Sequence, residues 1–371
     1  MPVTTPATEP SATRVLRGVP STPARRPAVT VIVPSYNYAR YLPECAQSVL
    51  TQRDVEARLL IVDDCSTDET PQVTDALAAS DARIAVIRHE RNRGHIPSVN
   101  EGLRQVSTEY VVKLDADDLL APGALARATA LLEAHPGVGF AYGRPKHFSG
   151  PVPRPPDAPT RSWTLWAGRD WVAARCRRAC NVISQPEVVI RTSMLRGVGA
   201  VAEALPHTSD LHTWMRLAAV GDVGRVNGPI QGCYRVHDAS MQRTVHAGVM
   251  LDLCGRRDAF DAAFAAEAGA LRDAARLHAT ARRGLAADAL DRACRAYDRG
   301  RTAAVPIDEL VAFALDVWPD ASALPEWRAL ARRTAVGTVR ARRHPRFLAA
   351  AVARRAHDEL GRRRWLRTGE R

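Results

Sequence analysis

The chain has 371 residues, of which 46% are hydrophobic and 25% charged, enough for a sizeable core and two or three structural units; it is globular rather than disordered in composition. Its net charge of +12 is carried by arginine, since Lys113 and Lys146 are the only lysines, and it is uneven: residues 1–240 sum to about +3, 241–326 to about −2 and 327–371 to about +11. The basic character therefore belongs to the C-terminal tail, and arginine-rich codon usage accounts for it as well as phosphate binding does.

No apolar run reaches the roughly 18 residues of a membrane span, and the N-terminus lacks a signal-peptide core, so a cytoplasmic protein is expected. Seven cysteines at positions 45, 65, 176, 180, 233, 254 and 294 form no paired framework, which fits a reducing compartment. Cys176 and Cys180 lack the second pair that a zinc site requires.

Residues 1–27, rich in Pro, Thr, Ser and Ala, are expected to be a flexible leader. Short β-rich runs follow at 29–33, 59–62, 84–87, 110–112 and 138–142, separated by segments of helical spacing at 42–52, 70–79, 97–106 and 123–134. That alternation predicts an α/β fold, a doubly wound and mostly parallel sheet with helices on both faces. Pro145 to Pro159 reads as a surface loop. Beyond it the pattern predicts a strand at 186–190, an amphipathic helix at 210–220 and an extended segment at 229–236. From about Met241 the chain turns Ala-, Leu- and Arg-rich, which predicts a helical C-terminal unit broken near Gly284, Pro306, Pro319 and Pro325.

In a doubly wound sheet, ligands sit outside the carboxyl ends of the strands. Three polar clusters fall at such ends: Pro34-Ser35-Tyr36-Asn37, Asp63-Asp64-Cys65-Ser66-Thr67-Asp68, and Leu114-Asp115-Ala116-Asp117-Asp118. The last puts three carboxylates in four positions, a pattern that suits a hard divalent cation and a diphosphate. Read alone, it is equally a polar turn in which Asp117 or Asp118 caps the helix starting near Pro122.

The motifs Val-Ile-Val-Pro-Ser-Tyr-Asn, Ile-Val-Asp-Asp-Cys-Ser-Thr-Asp, Asn92-Arg93-Gly94 with Asn100, and Leu-Asp-Ala-Asp-Asp occur in this order over residues 28–240. Together they resemble family 2 glycosyltransferases of the GT-A fold, with a nucleotide-sugar half at 28–143, an acceptor half at 160–240 and the helical region at 241–371 outside the resemblance. The resemblance implies an inverting, metal-dependent transfer of sugar from a nucleotide-diphosphate donor to an acceptor hydroxyl. It puts Pro34, Ser35 and Tyr36 at the nucleobase, with Asp63 or Asp64 bonding the base, and Asn92, Gly94 and Asn100 in the polar loop below the nucleotide. It puts Asp115 near the ribose or the metal and Asp117 on a Mg²⁺ or Mn²⁺ ion. Cys65 stands where the family most often has Gly.

Asp210, opening an amphipathic helix, matches the catalytic base, although Ser209 replaces the family's usual Glu; the plainer alternative is an N-cap. Tyr234-Arg235-Val236-His237 resembles the trailing motif, in which Arg235 contacts phosphate and His237 reaches the metal. Trp163, Trp166, Trp171 and Trp214 suit either sugar stacking or core packing.

The implied acceptor is a sugar, a lipid-linked glycan or a small molecule. The tail at 327–371 combines fourteen arginines with interspersed apolar residues, which suits peripheral contact with an anionic membrane at its inner face or simply a solvated basic surface. A sugar-1-phosphate nucleotidyltransferase would need a Gly-rich basic loop after the first strand, and Pro34-Ser35-Tyr36-Asn37 is not one. A nucleic-acid-binding protein would need a basic and aromatic platform, which the sheet segments do not offer, so no nucleic-acid partner is expected.

Overall fold

The computed structural model describes residues 13–237 and 248–369. The first twelve residues of the expected leader and the expected start of the helical unit at Met241 lie outside them. Ten strands form one sheet in the order β1-β8-β10-β7-β9-β5-β2-β3-β4, with β6 paired to β10. In chain order these are β1 (Arg14–Arg17), β2 (Ala28–Ser35), β3 (Glu56–Asp63), β4 (Ile84–Arg88), β5 (Tyr110–Lys113), β6 (Leu119–Leu120), β7 (Val138–Phe148), β8 (Ser162–Trp166), β9 (Val189–Arg191) and β10 (Asp222–Arg235).

The strands β5, β2, β3 and β4 form a parallel block. Val29, Val31, Ile32 and Val33 of β2 are wholly buried, as a strand covered on both faces requires; each contributes roughly 2 kcal/mol by leaving water. Ser35 pairs with Asp63, Ile32 with Lys113 and Asp63 with Arg88, so the three strand-end motifs emerge on one rim. Helices α1 (Leu42–Leu50), α2 (Thr70–Ser80) and α3 (His95–Gln105) make the connections within this block, and α4 (Ala124–Ala134) leads from β6 to β7.

β9 joins this block to the other half, pairing antiparallel with both β5 and β7. β7 and β10 run parallel, and β8 lies antiparallel to β10. Three departures from the sequence reading stand out here. Residues 14–17, within the expected leader, add an edge strand to β8. β7 continues through Pro145 to Phe148, so the irregular loop starts later than the prolines suggest. The short helix α6 (Thr192–Val198), together with β8 and α5 (Gly168–Arg178), carries no strong periodic signal.

After α7 (Ser209–Val220), the described C-terminal helices are α8 (Val249–Ala265), α9 (Ala274–Arg299), α10 (Ile307–Val317), α11 (Pro325–Val336), α12 (Thr338–Ala341) and α13 (Pro345–Thr368). Of these, α8 to α11 share one apolar core with the sheet, which runs from Phe140, Trp171 and Trp214 to Leu285, Phe313 and Leu330. Gly284, expected as a break, lies inside α9. A Cβ there would come within 3.1 Å of the Ala179 Cβ and 3.2 Å of the Cys176 carbonyl oxygen, so the glycine lets α9 press against the end of α5. All seven cysteines are free thiols. No helix among the described residues is long and apolar enough to cross a membrane.

Candidate active site

A cavity of about 750 Å³ opens on the rim where the parallel strands end. Its lining brings together Pro34, Ser35, Tyr36, Asp64, Asn92 and Gly94, the acidic run Asp115 to Asp118, and Asp210 with Pro206 to Ser209. The large pocket and the convergent polar groups coincide.

Local chemistry sets the nucleotide-side wall. Asn37, at φ 60°, accepts hydrogen bonds through its Oδ1 from the N–H of Thr67 (2.7 Å) and Asp68 (3.3 Å), tying the β2 turn to the β3 turn. Cys65 sits at φ 62°, a left-handed conformation that favours glycine, in keeping with the glycine that the resemblance implied here. The neighbouring aspartates diverge. Asp63 accepts from the Ser66 N–H (3.1 Å) and holds the turn. Asp64 faces the cavity and accepts from His89 Nδ1 (2.7 Å) and the backbone N–H groups of Arg93 (2.8 Å) and Gly94 (2.7 Å). Gly94, at φ 96°, provides the turn that aims its N–H at Asp64 and starts α3. Asn100 instead clasps the Val201 backbone, donating to its O and accepting from its N–H, both at 2.9 Å.

The acidic floor is electrostatically divided. Asp115 has its own cation in Lys113 (Nζ to Oδ1, 2.8 Å), with His95 Nε2 at 3.6 Å. Against the upward push of burial, these two hold its carboxyl below the ordinary range. Asp117 is pushed up by burial and by the Asp115 charge, and its Oδ2 is hydrogen-bonded to His237 Nε2 at 2.8 Å. Asp118 is pushed further, by burial and by both neighbours, and its Oδ1 accepts from the Arg235 N–H at 2.8 Å. It does not cap the next helix: β6 intervenes, and α4 is preceded by Gly123.

Arg235 holds this loop from β10. Its Nε donates to the Asp117 carbonyl (2.9 Å) and its Nη2 to Glu44 (2.8 Å), while the guanidinium lies 4.8 Å from the Tyr41 ring and 4.6 Å from the Phe148 ring. The structure thus turns Arg235 onto the acidic loop and its supports, whereas the resemblance implied phosphate contact.

Asp210, also on the cavity lining, lies in the first turn of α7. Neither it nor Ser209 is the N-cap, which is Thr208. Burial pushes its carboxyl above the ordinary range, and its oxygens accept from Leu211 N–H (2.7 Å) and Asn181 Nδ2 (2.8 Å). Trp163, Trp166, Trp171 and Trp214 are all buried and serve the core.

Residues 30–194 match the family model for glycosyl transferase family 2. The chain carries a glycosyl transferase family 2 domain. Among similar proteins are glycosyltransferase GlyG of Streptococcus pneumoniae, 34% identical over 25% of this chain and 31% of its own length, and the putative teichuronic acid biosynthesis glycosyltransferase TuaG of Bacillus subtilis, 40% identical over 25% and 37%. The chain thus spans about a third of the length of these curated relatives.

Two solved structures share the GT-A fold with this glycosyltransferase domain and its helical extension. A mannosyltransferase, PcManGT from Pyrobaculum calidifontis in complex with GDP-Man and Mn²⁺, aligns over 92% of this chain and 90% of its own, with 22% identity and a TM-score of 0.53. TarS 1–349 of S. aureus in complex with UDP-GlcNAc aligns over 81% and 91%, with 18% identity and a TM-score of 0.55.

Both Asp210 and the 234–237 segment lie beyond the family match. Sequence reasoning missed Lys113, His95, Glu44 and Asn181. Lys113 carried one usable signal, being one of only two lysines in an arginine-rich chain.

Proposed function

We propose that this protein is a metal-dependent glycosyltransferase that moves a sugar from a nucleotide-diphosphate donor to an acceptor hydroxyl with inversion. The observation that supports this reading is one cavity lined both by the Asp115 to Asp118 carboxylates, beside the nucleotide-side motifs, and by a separate half-buried carboxylate, Asp210. Tyr36, 43% exposed at the cavity edge, offers a ring face to a nucleobase, and Asp64 is the better placed of the two aspartates to bond the base.

The residues present fit a hard divalent cation, Mg²⁺ or Mn²⁺. Asp117 would hold it, with Asp115 and His237 beside it, and the ion would supply positive charge against the developing charge of the leaving diphosphate. Burial first, and the neighbouring carboxylates second, push Asp117 and Asp118 up, and a cation bound beside them would offset both. No group of three or more His, Cys, Asp or Glu forms a metal cage among the described residues, so donor phosphates and water would complete the shell.

Asp210 would take the proton from the attacking hydroxyl, and its raised pKa makes it a stronger base than an ordinary surface aspartate. Because the relatives include proteins named for teichuronic acid and teichoic acid synthesis, the acceptor class proposed is a cell-envelope glycan or its lipid-linked precursor. Val339, Leu348, Val352 and Leu360 are exposed on the arginine-rich C-terminal helices, which supports peripheral contact with an anionic membrane.

A thermal-shift series with UDP, GDP and dTDP, with and without Mn²⁺, tests the reading. Metal-dependent protection by one nucleotide is expected. Protection by nucleic acid with none by any nucleotide would overturn it.

A further inference from the structure

Its own helix holds the Asp210 side chain only in part. Thr208, the N-cap, makes no side-chain capping bond, and what α7 offers the carboxylate is the N–H of the next residue and that of Asp210 itself. Its second oxygen is fixed from outside, by Asn181 Nδ2 at 2.8 Å.

Asn181 has little freedom in this contact. Its Oδ1 accepts the Ile183 N–H at 3.1 Å, so the amide is oriented with its donor end toward the carboxylate. The loop that carries it leaves α5 through Ala179, which adopts a left-handed conformation at φ 48°. Arg256 on α8 donates to the Ala179 carbonyl at 2.7 Å and is itself paired with Asp252 and Asp288. The residue before it, Gly255, accepts the Thr208 hydroxyl at 2.8 Å. Two consecutive residues of α8 therefore grip the segments on both sides of the Asn181–Asp210 bond.

We infer that Asn181 is a positioning residue for Asp210, and that α8 fixes the two relative to each other through Gly255 and Arg256. The inference rests on the proposed role of Asp210 as the base. An amide donor on one oxygen stops the carboxyl group rotating and favours its ionised form, leaving the remaining lone pairs directed at the cavity. The other groups that act electrostatically on Asp210 are Lys113 and Asp115 from the end of β5, Glu187 from the loop after α5, and Tyr234 from β10. None of these makes a hydrogen bond to it among the described contacts.

Asn181→Asp isolates the effect, because it keeps the shape and the acceptor for Ile183 while withdrawing the donor; Asn181→Ala withdraws the donor without adding charge. The readout is nucleoside-diphosphate release with Mn²⁺ from UDP-GlcNAc or GDP-Man, whichever the full chain turns over, measured across pH. Both variants should keep donor KM within about twofold and lose roughly ten- to a hundredfold in kcat. The acid limb of the kcat profile should move to higher pH, further for Asn181→Asp. A wild-type profile in both variants, or a lower kcat with an unmoved limb, would overturn the inference. Asp210→Asn run alongside separates the two ideas: if it turns over like wild type, the base assignment fails and the inference with it. If it is dead while the Asn181 variants keep the wild-type profile, only the inference fails.

Discussion

The two acidic centres of the cavity are unlike in how their charge is met. Asp115 to Asp118 sit together at a strand end, with one lysine, two histidines nearby and an arginine that binds mostly through the backbone. Asp210 is hydrogen-bonded by neutral N–H donors, with Lys113 and Asp115 acting on it at longer range. Crowded carboxylates with too little counter-charge are suited to taking up a cation, whereas one set apart from them and pushed up by desolvation is suited to taking up a proton. On the proposed reading, the contrast would let one pocket separate metal binding from base chemistry with the same residue type.

Replacing Asp117 should break the metal side most severely. Loss of an outer-shell partner typically costs a metal site about ten- to a hundredfold, so removal of a direct ligand in Asp117→Ala should weaken Mn²⁺-dependent nucleotide binding by more than about a hundredfold. Calorimetric titration of the nucleotide with and without Mn²⁺ checks this. Asp118→Asn sharpens the same side. Asp118 is buried and pushed strongly toward its neutral form, and an amide oxygen can still accept the Arg235 N–H. Its nucleotide binding should stay within about tenfold of wild type, well short of the Asp117 effect.

A smaller effect tests the wall behind Asp210. Burial pushes Glu187 up to about 7 from an ordinary value near 4.5. Because the folded state holds this proton more tightly than the unfolded state does, stability is full below about pH 4.5 and falls as pH rises toward 7. Glu187→Gln, which can still accept the Ser184 N–H, should flatten that slope and gain at most about 3 kcal/mol at pH 8, read from urea unfolding across pH. Weaker still is the expected contribution of Val352. If the tail meets a membrane, Val352→Asp should reduce recovery with anionic vesicles, while equal recovery of mutant and wild type would remove that surface from the account.

Much of the donor wall was legible because it is local. A parallel strand with near-continuous apolar residues that ends in Asp-Asp or Asp-Ala-Asp announces both its burial and its rim, and β2, β3 and β5 follow that pattern closely. The choice between Asp63 and Asp64 was not legible, since it depends on which carboxylate meets the N–H groups of Arg93 and Gly94, some thirty residues away. Asn100 shows the same limit, being tied to Val201 in a distant loop. The acceptor wall is built almost wholly from such pairings. Asn181 meets Asp210 across 29 positions, and Thr208 meets Gly255 across 47. The edge strand β1 escaped notice because its four residues, three of them exposed and two of them arginine, carry no alternating pattern.

Donor binding and transfer measured together on Asp210→Asn test the central claim most directly. The variant is expected to bind the nucleotide donor with Mn²⁺ as wild type does, because the acidic floor is intact, and to lose transfer by roughly two to four orders of magnitude. Transfer at the wild-type rate with donor binding preserved would contradict the division of the cavity into a metal side and a base side.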